Sequence, residues 1–241
     1  MKTSTSTFAE KKDTLYLVLS GIFLTNAIIA EIVGTKIFSL EKLIGVSPAQ
    51  VALLDEAKLD FNLSAGVILW PVVFITTDII NEYFGKRGVK KISFLTAALL
   101  AYMFVAIGLI TLLPPADFWI ALNNEVTHGN LPNINEAFSI IFRQGLGIII
   151  GSLTAFLIGQ LLDVSIFQWL RKFTGSQRIW LRATGSTLLS QLVDSFVVIF
   201  IAFYVFGNWT ISYIFSVGIV NYLYKFFVAI LLTPILYVAH F

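Results

Sequence analysis

The stretch SAGVILWPVVFITTDIINEYFGKRGVKKISFLTAALLAYMFVAIGLITLL, residues 64–113, is two long apolar runs joined by a short basic turn. Each run, Ser64–Phe84 and Ile92–Leu113, has about the 20 residues that a helix needs to cross a hydrocarbon core of roughly 30 Å. Four further runs have the same character: Leu15–Phe38, Ser139–Leu162, Ala183–Phe206 and Ile211–Ala239. Hydrophobic residues make up 57% of the 241 and charged residues 12%, against about one quarter charged in an ordinary soluble domain. The expectation is an all-α polytopic membrane protein, a six-transmembrane-helix bundle that forms a single domain over residues 1–241. The first run follows Lys11 and Lys12 but is too long for a signal peptide. It also holds Asn26 and Glu31 and lacks a small-residue cleavage site.

Orientation follows from the Lys/Arg bias of the short loops. One side carries Lys11, Lys12, Lys86, Arg87, Lys90, Lys91, Arg171, Lys172, Arg178 and Arg182. The other carries Lys42 and Lys58 among Glu41, Asp55, Glu56, Asp60, Asp117, Glu125 and Glu136. The basic side is expected in the cytoplasm, with both termini on it. Ser47-Pro48 before Ala49-Gln50-Val51 reads as the start of a short surface helix. The bases cluster beside spans, so the net charge of +2 points to the bilayer and not to nucleic acid. Cysteine is absent, which excludes disulfides and thiolate chemistry. His128 and His240 alone cannot build a metal site, and no cofactor is implied.

Gly147, Gly151, Ala155 and Gly159 recur every four residues in the fourth span. Such a stripe lets a second helix approach closely, either inside one bundle or between two copies in a homodimer. Trp70-Pro71 and Thr233-Pro234 are points where a membrane helix can kink.

Charge inside the bilayer costs about 2.5–3.5 kcal/mol per residue at a helix centre. The chain nevertheless places eight such residues in its spans: Glu31, Lys36, Asp78, Glu82, Arg143, Asp163, Asp194 and Lys225. Lys36 and Arg143 are near span ends and can snorkel, and Glu82 stands four residues before Lys86, a favourable helical pair. Asp194 and Lys225 fall near span centres, which predicts that they face each other or a shared polar cavity. Asp78, Asn81 and Glu82, at i, i+3 and i+4, share one helix face. Gln160 with Asp163, and Gln191 with Asp194, each put an amide and a carboxylate one turn apart. Gly151-Ser152 and Gly185-Ser186 precede them in a weak repeat. An amide beside a carboxylate suits a planar heterocycle whose edge carries N–H groups next to a carbonyl. The alternative is helix–helix hydrogen bonding worth about 0.6–2 kcal/mol per contact. One pair alone favours that alternative; three together favour a site.

Thr77-Asp78 through Asn81-Glu82-Tyr83-Phe84-Gly85-Lys86-Arg87 resembles the signature of the queuosine precursor transporter family. Arg143, Gly151-Ser152, Ala155-Phe156, Gly159-Gln160 and Asp163 fit the same pattern in order and spacing. So do Ser190-Gln191-Leu192-Val193-Asp194, Tyr224-Lys225, Thr233-Pro234 and Tyr237. The resemblance implies uptake of 7-deazaguanine bases, a nucleobase-like substrate, across a bacterial inner membrane by a secondary or facilitative mechanism. It implies substrate contacts from Asp78, Asn81, Glu82, Arg143, Gln160, Asp163, Gln191, Asp194 and Lys225. No enzymatic activity is expected. An intramembrane hydrolase would need a base that neither histidine can supply, and an Asp163–Asp194 pair would sit at unequal depths. A binding component of an ATP-driven vitamin importer is the stronger rival. The chain has no Gly-rich Walker loop, so in that role it would need a partner.

Overall fold

The computed structural model describes residues 3–50, 60–126, 133–175 and 178–240. Helix α1 (Thr3–Val33) ends at the Gly34-Thr35 turn, and the chain continues into strand β1 (Ile37–Ser39) and helix α2 (Leu40–Ile44). Strand β2 (Asn62–Ser64) pairs antiparallel with β1, Ile37 opposite Ser64 and Ser39 opposite Asn62. The described chain is mostly helical, as expected, and this short two-stranded ribbon is its only sheet among the described residues. Lys36 is not in the first helix; it lies exposed just beyond the turn, where its carbonyl accepts from Ala65 N–H at 2.8 Å. Of the surface helix expected from Ser47, residues 47–50 are not helical, and 51–59 lie outside the described residues, as does His128.

A 3-10 turn (Ala65–Ile68) leads into helix α3 (Trp70–Ile110). Pro71 occupies the first turn of α3, where a missing N–H costs nothing. It starts the helix instead of kinking it, contrary to expectation. The real break is Gly85, at φ 67° and ψ −172°, a region essentially reserved for glycine. A Cβ at Gly88 would meet Phe84 Cβ at 2.7 Å and Ile80 Cγ2 at 3.5 Å. In a straight helix residues 80 and 88 would stand about 12 Å apart. Gly85 therefore breaks α3 into two arms and brings Gly88 back against Phe84 and Ile80. The Glu82–Lys86 helical pair is lost with the break, and Lys86 Nζ donates instead to Ser165 Oγ at 3.1 Å.

Helices α4 (Asp117–Val126) and α5 (Ile134–Phe142) follow, then α6 (Leu146–Thr174) after a break at 143–145. Helix α7 (Ile179–Ile199) runs on as a π-helical segment (Phe200–Val205), and α8 (Ile211–His240) completes the described chain. The small-residue stripe of α6 faces α7 and its extension. A Cβ at Gly147 would meet Phe206 Cβ at 2.5 Å, one at Gly151 the Val198 carbonyl at 3.1 Å, and one at Gly159 Asp194 Cβ at 3.6 Å. Within this chain, the stripe packs against α7 and its extension.

Among the described residues, five segments are long and apolar enough to cross a membrane: Glu10–Val33, Trp70–Ile110, Ile134–Thr174, Trp180–Val205 and Ile211–Ile230. The sorting of side chains agrees with lipid as solvent. Leu17, Tyr102 and Phe173 are each at least 70% exposed, whereas Asn81, Thr96, Arg182 and Ser186 are fully buried. Thr76, Thr77, Ser93 and Thr96 hydroxyls donate to carbonyls one turn back, at 2.6–2.8 Å, which satisfies them without water. The apolar core between α1, α3 and α6 is Phe23, Ala27, Val73, Ile80, Val89, Leu100, Phe156 and Val164. The chain is a multi-pass membrane protein.

Candidate functional site

Beside that core, α1, α3, α6, α7 and α8 leave a cavity of about 260 Å³. Five of the nine expected site residues line it: Gln160, Asp163, Gln191, Asp194 and Lys225. Lys225 Nζ lies 2.5 Å from Asp194 Oδ2, so the two mid-span charges face one another and the same space. Gly159 lies beside Asp194, where even a Cβ would stand at an ordinary 3.6 Å.

Asp163, 7% exposed, accepts from the Thr187 and Ser190 hydroxyls, each at 3.4 Å. Gln160 Oε1 receives the Thr77 hydroxyl at 3.4 Å, a long contact that leaves its amide group mostly uncommitted. Gln191 is 7% exposed and lines the cavity. Ser195, one residue beyond Asp194, also lines it, is 1% exposed, and its buried hydroxyl has no partner. Leaving such a group dry costs about 1–3 kcal/mol, which a bound polar molecule would relieve.

Trp70, Phe74 and Phe156 form an aromatic wall. The Trp70 ring is 6.0 Å from Phe74, stacked, and 6.1 Å from Phe156. Near the ribbon, Glu31 and Gln144 also line the cavity. Gln144 Nε2 donates to the Glu31 carbonyl at 3.0 Å, while the Ser152 hydroxyl, on the same cavity, donates to the Ile149 carbonyl at 3.3 Å. Glu31 was legible as a charge at depth but not as part of the binding set. Ser195, Asn221 and the three aromatics carried no signal that set them apart from ordinary membrane-helix residues.

Four expected residues lie elsewhere. Asp78, 5% exposed, adjoins a smaller void of about 20 Å³ with Thr184 and Thr187, and its Oδ1 has no partner. Asn81 Oδ1 accepts from Gln168 Nε2 at 2.6 Å. Glu82 Oε2 is 3.0 Å from Arg182 Nη2, and Glu82 Oε1 is 3.5 Å from Arg171 Nη2. Arg182 further donates to the Gly175 carbonyl and lies over the Phe167 ring at 5.5 Å. The Asp78–Asn81–Glu82 face is one face, as expected, but it meets α6 and α7 instead of the cavity. Arg143 is exposed at the 143–145 break, on a separate void of about 440 Å³ with Phe104 and Ile107.

The ionic groups outside the bundle are tied locally. Glu41 Oε1 accepts from Phe61 N–H at 2.6 Å and its Oε2 from Ser39 Oγ at 2.9 Å. The Phe61 amide above all, with further hydrogen bonds from Ser39 and Ala49, holds the Glu41 carboxyl below its ordinary range.

Taken together, the cavity offers an aromatic wall, amides, a hydroxyl and an ion pair within a volume near the lower end of small-molecule sites. That set can hold a flat, polar, hydrogen-bonding molecule away from lipid.

Comparison with known proteins agrees. The family model described as "Putative vitamin uptake transporter" matches residues 64–239. A protein of Bacillus subtilis (strain 168) named "Probable queuosine precursor transporter" is 31% identical over 183 residues, 74% of this chain and 73% of its own length. A protein of the same name from Haemophilus influenzae is 29% identical over 173 residues, 71% of this chain and 66% of its own. The "Queuosine precursor transporter" of Escherichia coli (strain K12) is 28% identical over 149 residues, 61% of this chain and 58% of its own. No solved structure matches the chain.

Proposed function

This chain belongs to the vitamin uptake transporter family, and on that premise we propose that it carries queuosine precursors, 7-deazaguanine bases, across a bacterial inner membrane. It acts as a secondary or facilitative transporter and not as an enzyme. The names of its relatives support the substrate class. The observation that carries the reading is the Asp194–Lys225 pair on the wall of the cavity that also holds Gln160, Gln191 and Trp70.

In this reading the base lies against Trp70, Phe74 and Phe156. Its N–H edge faces Asp194 and Asp163, and its carbonyl and ring nitrogen meet Gln191, Gln160 or Lys225. At about 260 Å³ the space suits a free base better than a nucleoside. Asp78 stands behind Asp163 as a second buried carboxylate, while Asn81, Glu82 and Arg143 support the site from outside the cavity.

The reading includes six crossings. A straight 41-residue α3 would be about 62 Å long, twice the hydrocarbon thickness. Its fold at Gly85 makes two crossings, which with α1, α6, α7 and α8 gives six. An even number leaves both termini on one side, and the Lys/Arg bias makes that side cytoplasmic.

The test is uptake of radiolabelled 7-deazaguanine bases into liposomes holding this chain alone, with wild type and Asp194→Asn. Wild type accumulates label and Asp194→Asn loses at least about tenfold, the scale of one charged hydrogen bond. Well-folded wild type that neither binds nor transports any such base would end the assignment. Uptake that appears only with an added ATP-hydrolysing partner would make the chain a binding component instead.

A further inference from the structure

We infer that Glu31 is the cation-reading residue of the cavity, and that among deazaguanine bases the chain prefers those bearing a primary ammonium to uncharged ones. The inference rests on the substrate reading above and specifies it.

The cavity wall carries three carboxylates, Glu31, Asp163 and Asp194, and one cation, Lys225. Lys225 is committed to Asp194. Asp163 is held by the Thr187 and Ser190 hydroxyls. Glu31 lines the same space and has no ion-pair partner among the described residues. The nearest bases by sequence or by cavity are unsuited to it: Lys36 is exposed beyond the turn, and Arg143 is exposed on a different void. Gln144, which also lines the cavity, donates to the Glu31 main-chain carbonyl at 3.0 Å.

A second, independent feature points to a ligand here. Ser195 Oγ, 1% exposed on the same cavity, is left without a partner among the described residues, and Asp194 beside it in the chain lines the same space as Glu31. A molecule that fills this space meets a hydroxyl and two carboxylates, only one of them neutralised. Its missing complement is one positive charge on a flat polar body. An ammonium on a short arm supplies that charge, with the ring against Trp70 and the arm toward Glu31. Charged hydrogen bonds of this kind are about twice as strong as neutral ones, so the preference is measurable.

An inorganic cation would bring the same charge, and the experiment separates the two sources. Uptake of aminomethyl- and nitrile-substituted 7-deazaguanine is measured in liposomes with wild type, Glu31→Gln and Glu31→Asp, in sodium and in choline buffers. Wild type favours the aminomethyl base by about tenfold or more in both buffers. Glu31→Gln brings the ratio near one by lowering aminomethyl uptake far more than nitrile uptake, and Glu31→Asp retains most of the preference. Equal uptake of both bases by wild type overturns the inference, and so does an equal loss of both in Glu31→Gln. Sodium dependence of both bases that vanishes in Glu31→Gln overturns it too, in favour of a coupling ion. If Glu31→Gln does not fold, the ratios of wild type and Glu31→Asp in the two buffers decide. In each of these outcomes transport itself survives; failure of wild type to move either base strikes the proposed function instead.

Discussion

At the scale of single residues, the cost of burying charge is the main constraint. Asp194 and Lys225 each carry about 20% exposed side chains, so their pair lies between exposed pairs worth about 0–1 kcal/mol and buried ones that cost about 3–5 kcal/mol to break. Asp194→Asn or Lys225→Met alone should therefore lower thermal stability in detergent more than the double substitution does. A double-mutant cycle with no coupling between the two would show that they do not act as a pair. That these residues matter was legible without a structure, because the penalty belongs to the side chain and the bilayer. Their partners were not, because pairing depends on which helix lies opposite. Glu41 obeys the opposite logic, at the water-facing end. Its carboxyl is held below its ordinary value of 4.5 by the Phe61 amide first, so the folded state gains from ionised Glu41 above the unfolded pKa. That gain is lost as pH falls through the lower folded value. Glu41→Gln should melt below wild type at pH 7, and the gap should close under acid conditions, below about pH 4.

At the scale of elements, glycine positions decide how the helices meet. A Cβ at Gly85 would touch nothing within 4 Å, yet its φ is +67°. The penalty of Gly85→Ala is therefore backbone strain, about 1–3 kcal/mol, read as a lower unfolding temperature. Gly147→Ala should destabilise more than Gly159→Ala. The first must displace Phe206 Cβ from 2.5 Å, while the second makes an ordinary 3.6 Å contact with Asp194. Equal melting of the two variants would contradict the α6–α7 packing. The Asp78–Asn81–Glu82 face teaches a related lesson. Spacing put the three side chains on one face, and helical geometry ensures that wherever the helix lies. It could not say that the face would meet Gln168, Arg171 and Arg182, since those lie about 90–100 residues along the chain. Pro71 was misread as a kink for a similar reason: its effect depends on where the helix begins, and the ribbon of β1 and β2 delays that start to Trp70.

At the scale of the whole molecule, the proposed six-crossing arrangement makes a direct prediction. The chain has no cysteine, so single cysteines report sidedness without background. Cysteines at the exposed positions Lys12, Lys90 and Lys172 should react with impermeant reagents only from the cytoplasmic face. Those at Thr35 and Asp117, also exposed, should react only from the opposite face. Labelling of Lys12 and Lys90 from opposite faces would break the topology. Class, apolar runs, the basic side and the unusual burial of acids and amides were all readable from residue order, because hydrophobicity and helical period are local properties. Which of those polar groups share one chamber is not local. It follows from the break of α3 at Gly85 and from the glycines of α6 admitting α7. Those contacts send Asp194, Lys225, Gln191 and Glu31 to the cavity and Glu82 to an arginine clamp, and they arise from packing between distant segments that no single stretch of chain contains.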